Sequence, residues 1–134
     1  MITTTVNILS AGVMKVDGGC MFGTVPKADW GATVVTDRKN RITLGLNCML
    51  LQTFGKTVLV DTGAGSGFKA NESLGLTPSR LRKSLRDLGA TPKSIDIVIL
   101  SNLQFDHCGG SIRMDRAGSI VPTFPNARYY YSER

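Results

Sequence analysis

Histidine, long apolar runs and paired cysteines are scarce in this sequence of 134 residues. No stretch reaches the 18 or more apolar residues of a membrane-spanning helix, and residues 1–16 lack the basic start and apolar block of a secretory signal. The three cysteines are an odd number at wide spacings, without a C-x-x-C pair. These absences predict a cytoplasmic protein with reduced thiols and no membrane association. We expect Cys20 and Cys48 to be small buried hydrophobic residues.

The composition predicts one folded domain, because 42% of the residues are hydrophobic and 19% are charged. A net charge of +6, from 16 Lys and Arg against 10 Asp and Glu, suggests nucleic-acid binding. However, the basic residues are dispersed apart from one cluster at residues 80–86, and no aromatic residues are interleaved with them. Nucleic acid is therefore the least favoured partner.

Hydrophobic patterning predicts a sheet with one main helix. The segments predicted to be strands are 6–16, 42–51, 57–60, 95–100, 118–121 and 127–131. Thr77, followed by proline, would cap a helix that ends at Gly89. The apolar stripe of this helix consists of Leu81, Leu85 and Leu88.

Two polar loops follow predicted strands. Segment 95–100 is almost wholly apolar, which predicts a central strand covered on both faces, and the polar loop 101–110 follows it. Ligand and metal sites favour this location in layered α/β proteins. The glycine-rich turn 61–67 follows another strand, but its spacing matches neither common phosphate-binding pattern, so phosphate binding is weakly supported.

Together these segments resemble the metallo-β-lactamase superfamily. Residues 58–63 match a buried strand that ends in aspartate-threonine-glycine, and residues 97–110 stand where the family has a second strand followed by H-x-H-x-D-H and glycines. Residues 17–27 and 121–128 are similar to flanking segments of the lactonase-like branch. The resemblance implies an α/β fold: half of an αββα sandwich, with a mixed sheet and one main covering helix. It also implies that residues 1–134 form a single partial domain without the carboxyl-terminal half.

The family's motif assigns candidate roles to five side chains. In the family the first two histidines bind one metal, usually zinc, and the aspartate and the last histidine bind its neighbour. Here Asn102 and Gln104 occupy the first pair of positions, which are therefore vestigial. Asp106 and His107 match the second pair, with Asp106 as the candidate catalytic residue. Asp61 matches a supporting outer-shell aspartate, a role compatible with that of an ordinary strand-end cap.

Ligand chemistry predicts that the first metal subsite is empty. Catalytic zinc needs about three imidazole, thiolate or carboxylate ligands plus a water, and neutral carboxamides are poor substitutes. His107 is the only histidine, so binuclear water activation by this chain alone has no basis. Alternatively, His107 is an ordinary polar residue, or it pairs with Asp106 to brace the loop. Cys108 is more simply an inert residue than a thiolate ligand or nucleophile.

Two functions of different classes follow. The first is a hydrolase-family protein for lactones, esters or amides that is metal-poor and inactive as an isolated chain. The sequence therefore does not decide whether this protein is an enzyme. Zinc or another divalent metal is the cofactor that the resemblance implies. The second is a non-catalytic remnant or interaction module, in which a second copy or a complementary chain covers an exposed sheet face, with Tyr129, Tyr130 and Tyr131 as candidate contacts.

Overall fold

The computed structural model describes residues 3–66 and 74–132. The helices and strands, in chain order, are β1 (Thr5–Asp17), α1 (Gly18–Phe22), α2 (Lys27–Trp30), β2 (Arg41–Thr53), β3 (Lys56–Val60), α3 (Leu81–Asp87), β4 (Ile97–Leu100), α4 (Phe105–Cys108), β5 (Ile112–Met114), β6 (Ile120–Pro122) and β7 (Arg128–Tyr131). In the described part of the chain, every helix is too short or too polar to cross a bilayer.

Five strands form one mixed sheet in the order β1-β2-β3-β4-β7, and β5 pairs with β6 in a separate ribbon. The first three strands are antiparallel, whereas β3, β4 and β7 run parallel. This mixed sheet confirms the predicted fold class. The prediction that segment 95–100 is the central strand was wrong, because β3 holds that place and β4 is one strand further along.

The sheet has one well-covered face, on which α3 lies. Leu81 and Leu85 of α3 pack into a single buried cluster with strand residues such as Leu50, Leu59 and Val98. Side chains alternate between the faces of a strand, so Val98 is fully buried while the adjacent Ile99 is 40% exposed. The expectation that this strand is covered on both faces was therefore wrong.

Helix α3 is shorter than its leucine pattern predicted. Thr77 does not cap it: the Thr77 hydroxyl accepts a hydrogen bond from the Val13 backbone at 3.0 Å, and the helix begins at Leu81. The segment before α3 thus pairs with β1. Leu88 lies beyond the last helical residue and is 40% exposed, so it does not belong to the buried stripe.

The cysteine predictions had different outcomes. Cys48 is buried, as expected, and burial together with the nearby Asp61 charge raises its pKa to about 12. Cys20 is exposed, and its predicted burial was wrong. Cys20 lies in the first turn of α1, where its amide donates to the Asp17 carboxylate at 2.8 Å, while Trp30 fills the space beneath Gly18. The Trp30 ring, and not the Cys20 thiol, is therefore the buried group beside Gly18.

Candidate functional site

The site lies where the parallel strands β3 and β4 end side by side. Asp61 follows β3, and its amide donates to the Ile99 carbonyl of β4 at 2.8 Å. Ser101 follows β4, and its amide and hydroxyl each donate to the Asp61 carboxylate at 2.8 Å. Asp61 adopts a φ of 58°, a left-handed conformation that Asp and Asn accept more readily than most residues. Because the two strands end side by side, the Asp61 carboxylate links the loop after β3 to the loop after β4.

His107, in the short helix α4, completes the cluster. Its Nδ1 lies 2.8 Å from Asp61 Oδ2 and 3.2 Å from Ser101 Oγ. An ionised carboxylate only accepts hydrogen bonds, so we assign the Nδ1 proton to the bond with Asp61. In the tautomer with that proton, Nε2 carries the lone pair, and it lies 3.7 Å from Asp106 Oδ2.

Asp61 is an anion held by its neighbours. Burial by itself would raise its pKa, but hydrogen bonds from His107 and Ser101 outweigh burial and hold the pKa of Asp61 below its usual value. The Asp61 side chain is 13% exposed and that of His107 is 36% exposed. The carboxylate is therefore placed to fix the orientation of a ring whose other nitrogen faces the loop surface.

Backbone contacts hold the two loops together around this cluster. The amide and hydroxyl of Thr62 both donate to the His107 carbonyl, at 2.8 and 3.0 Å, and the Gly110 amide donates to the Gly63 carbonyl at 2.8 Å. A Cβ on Gly65 would lie 2.5 Å from the Gly109 carbonyl oxygen. The glycine-rich turn thus lies close to the backbone of the loop that follows β4. The last residue of this turn, Gly67, lies outside the described residues.

The two vestigial positions lie on the same loop as the candidate ligands. Asn102 Oδ1 accepts a hydrogen bond from the Gln104 backbone amide at 2.8 Å. The side-chain oxygen of Asn102 therefore points toward the backbone of its own loop. Gln104 is exposed and is the residue just before α4, but its side chain makes no capping hydrogen bond to the helix. The Cys108 thiol donates to the Leu103 carbonyl at 3.2 Å, which suits an inert residue. Asn102 is therefore occupied with turn formation.

The donor set does not fit a catalytic metal centre. No three His, Cys, Asp or Glu side chains within residues 3–66 and 74–132 are grouped so that they could hold one ion. Asp106 and His107 Nε2 supply two donors, whereas catalytic zinc uses about three protein ligands. The metal roles of Asp106 and His107, and the catalytic role of Asp106, stay predictions. A cavity of about 160 Å³ lined by Ser79, Arg82 and Arg113 includes neither residue.

Sequence reasoning missed Ser101, Thr62 and Gly110 as parts of the site. Ser101 bonds both Asp61 and His107, and Thr62 and Gly110 join the loops. The available signal was positional: Ser101 follows β4 directly, as Asp61 follows β3. Parallel strands bring such residues together, but the pairing of β3 with β4 was needed to see it.

We expect Asp61→Asn to destabilise the protein by about 2 kcal/mol, a typical loss for hydrogen bonds to a charged group. Asparagine accepts the positive φ and can still bond the Ser101 amide, but its NH₂ replaces the oxygen that accepted from both Ser101 Oγ and His107. Urea unfolding measures the change. Asp87→Asn, at a 59% exposed side chain, is the matched control and should change stability by less than about 0.5 kcal/mol. Equal stability of the two variants would contradict the role of Asp61.

Comparison with known families gives one match over most of the chain. The model of the metallo-beta-lactamase superfamily matches residues 42–132. Comparison with curated proteins gave no match.

Solved structures of hydrolases match nearly the whole chain. A probable metal-dependent hydrolase from Staphylococcus aureus is 33% identical, with a TM-score of 0.82 over 94% of this chain and 46% of that one. AidC, a dizinc quorum-quenching lactonase, is 26% identical, with a TM-score of 0.66 over 97% of this chain and 42% of that one. The hydrolase AbOPH, at 23% identity and a TM-score of 0.73, shows the shared fold alone.

This chain therefore spans less than half the length of these solved proteins. The resemblance predicted from the two strand-and-loop motifs is confirmed, since both motifs lie within the matched residues 42–132. With that match and 33% identity to a solved probable metal-dependent hydrolase along 94% of its length, this chain belongs to the metallo-beta-lactamase superfamily.

Proposed function

We propose that this chain is a hydrolase-family protein of the lactone-, ester- or amide-cleaving type that is metal-poor and inactive by itself. The observation that carries the proposal is the loss of two imidazoles at the metal loop, where Asn102 and Gln104 stand. The side-chain oxygen of Asn102 accepts the Gln104 amide in a backbone turn, and a neutral carboxamide is a poor zinc ligand. The substrate class rests on similarity to a lactonase, AidC.

The remaining cluster supports metal binding only weakly. Zinc or another divalent ion would depend on Asp106 and on Nε2 of His107, with Asp61 orienting the ring through Nδ1. A bound ion supplies a water of lowered pKa, but only when about three ligands hold it. In the absence of further donors, this cluster braces the loop and orients one imidazole.

We also propose a cytoplasmic location. The three cysteines are free, and one of them, Cys20, is exposed. Free exposed thiols persist in a reducing compartment. Growth of the source cells followed by fractionation and immunoblotting would test the location.

Metal analysis of the purified chain tests the main proposal. We expect less than about 0.1 equivalent of zinc, manganese or iron per chain after equilibration with each metal and desalting, because two donors bind too weakly to survive the exchange. We also expect no cleavage of an acyl-homoserine lactone or an aryl ester with any of the three metals. Stoichiometric metal, or hydrolysis abolished by a chelator, would overturn the proposal.

A second candidate function is an interaction module. It is favoured by a separate observation, the large apolar side chains left exposed on the sheet, such as Ile8, Ile99 and Tyr130, at 69%, 40% and 47% exposure. Isolated exposed apolar residues are ordinary, but a continuous set marks a binding surface. This function needs no metal.

A further inference from the structure

A cavity of about 160 Å³ lies beside the start of α3 and is here called the arginine cavity. Two arginines from separate elements line it, Arg82 of α3 and Arg113 of β5. Gly65 and Gly110, from the place where the two loops meet, contribute to the other walls. Among the described residues, no member of the five-stranded sheet lines the cavity, so its presence does not depend on what covers the face opposite α3.

The described lining of the arginine cavity carries two positive charges and no carboxylate. Neither Arg82 nor Arg113 forms an ion pair with a described residue. Asp115, the acidic residue nearest to Arg113 in the sequence, instead accepts hydrogen bonds from the amides of Ala117 and Ser119, both at 2.9 Å. Two guanidinium groups that line one cavity repel each other, and an anion between them removes that repulsion.

A second cavity adjoins the arginine cavity at Ser79, which lines both. Arg80 and Lys83 line this second cavity. Lys83 forms an ion pair with Asp87 at 2.9 Å, whereas no carboxylate in the described part of the chain pairs with Arg80. Cations on both sides of Ser79 raise the positive potential at the arginine cavity and attract anions to it.

Three residues with hydroxyl groups, Ser66, Ser79 and Thr123, also line the arginine cavity. Thr123 is 7% exposed, and its Oγ1 is buried without a hydrogen-bond partner among the described residues. An unpaired buried hydroxyl destabilises a protein unless a water or a ligand supplies the partner. Because Oγ1 has no contact with solvent as the side chain stands, a turn about the Cα–Cβ bond is needed to direct it into the cavity.

We propose that the arginine cavity binds the phosphoryl group of a small phosphorylated molecule. Planar guanidinium groups bind phosphate oxygens through paired hydrogen bonds, which fits Arg82 and Arg113 as the charged ligands. Ser79 and Thr123 would donate hydrogen bonds from their hydroxyls. The cavity volume is roughly five times the ~30 Å³ that one water occupies in the liquid, which leaves room for one tetrahedral oxyanion.

The apolar part of the lining indicates that the phosphoryl group carries an organic substituent. Ile112 and Met114 line the cavity on either side of Arg113 in the sequence, and they are 44% and 61% exposed. They can therefore contact the carbon atoms of a phosphomonoester, as the apolar walls of small-molecule sites do. A ligand that binds only the folded chain also stabilises it, so binding should raise the unfolding temperature.

Titration of the full chain with inorganic phosphate and with phenyl phosphate, followed by heteronuclear NMR at constant ionic strength, tests the proposal. We expect a dissociation constant below about 1 mM for phenyl phosphate, with the largest shifts at residues that line the cavity. Tighter binding of phenyl phosphate assigns the site to an organic phosphate, and equal or weaker binding assigns it to phosphate itself. Either result supports recognition of a phosphoryl group.

Arg82→Gln and Arg113→Gln should each weaken binding at least about 10-fold, because each removes a charge-assisted contact. Arg86→Gln and Arg116→Gln are the matched controls. They make the same change of charge at exposed positions, on α3 and in the turn after β5, but neither residue lines the cavity. They should change the dissociation constant by less than about 2-fold, because solvent and salt screen exposed charges.

Thr123→Val tests the hydroxyl separately from the charges, because it removes Oγ1 at nearly constant shape. It should weaken binding at least about 3-fold, the effect of one neutral hydrogen bond, and should not lower the unfolding temperature of the free chain, since the lost group was unpaired. An unchanged far-UV circular dichroism spectrum shows that each variant is folded.

Two results would overturn the proposal. The first is the absence of binding of both phosphate compounds up to about 10 mM, or an equal loss of binding in the cavity and control arginine variants. The second is tight binding of a thymidine oligonucleotide that all four arginine variants weaken equally, which would assign the basic surface to nucleic acid. Asp106 and His107 do not line the cavity, so failure here leaves the proposed hydrolase ancestry intact.

Discussion

Replacing Asn102 and Gln104 together by histidine should raise the zinc affinity of the chain by at least about 100-fold. This is more than the 10- to 100-fold that outer partners of metal ligands contribute, because two imidazoles would fill the first subsite, beside Asp106 and His107 at the second. The Asn102 change also breaks its bond to the Gln104 amide, at a cost of about 1 kcal/mol. Competition with a chromophoric chelator measures the affinity.

Two controls separate ligand gain from loop loosening. Asn102→Ala with Gln104→Ala removes the same amides without adding donors, so it should leave zinc binding at the level of the parent chain. Adding His107→Ala to the histidine pair should keep most of the gain, because it takes away an imidazole of the second subsite, which Asp61 orients, and leaves the two new histidines of the first. If the alanine pair binds zinc as tightly as the histidine pair, the missing imidazoles are not the cause of weak binding.

We expect Gly110→Ala to destabilise the protein by about 3 kcal/mol, at the upper end of the range for overpacking. A Cβ at this position would lie 2.1 Å from the Thr62 carbonyl oxygen and 3.0 Å from its carbon. The obstacle is backbone, which cannot rotate away as a side chain can. Relief would have to separate the two loops and stretch the Gly110 to Gly63 hydrogen bond. Chemical denaturation with a far-UV readout measures the loss.

Gly45→Ala is the matched control for this change. Both glycines lack a positive φ, but the nearest atoms to a Cβ on Gly45 belong to the Asn47 side chain, at 3.2 Å. That exposed side chain can rotate, so the Gly45 variant should lose less than about 1 kcal/mol. If Gly110→Ala lost as little stability as Gly45→Ala, alanine would be tolerated where the two loops meet, and the contact between the loops would not be rigid.

Much of the fold followed from patterns local to the chain. The strands at residues 42–51 and 57–60 lie within β2 and β3, and Gly89 follows the end of α3 as predicted. The errors came from non-local contacts. Thr77 bonds β1 instead of capping α3, and it is Trp30 that is buried against Gly18 while Cys20 is exposed. A cap, or a small buried residue, is defined by its neighbours in space, which spacing along the chain does not reveal.

The candidate site divides in a similar way. Asp61, Asp106 and His107 were predicted from motifs, and the structure brings Asp61 and Asp106 to the two sides of His107. Ser101 was not predicted, although its hydroxyl and amide hold the Asp61 carboxylate. Serine after a strand is common, and only the parallel pairing of β3 and β4 makes this one part of the cluster.

The amino-acid sequence by itself determined which donor groups exist at the metal loop. One imidazole and one carboxylate stand where the family has three imidazoles and a carboxylate, and a neutral amide cannot acquire the missing affinity through folding. Only the tertiary structure decided how those groups are used. Nδ1 of His107 is hydrogen-bonded to Asp61, and Oδ1 of Asn102 accepts the Gln104 amide within the loop. The register across the sheet likewise decided which apolar residues lie on the face opposite α3, because a shift by one residue would move every side chain to the other face.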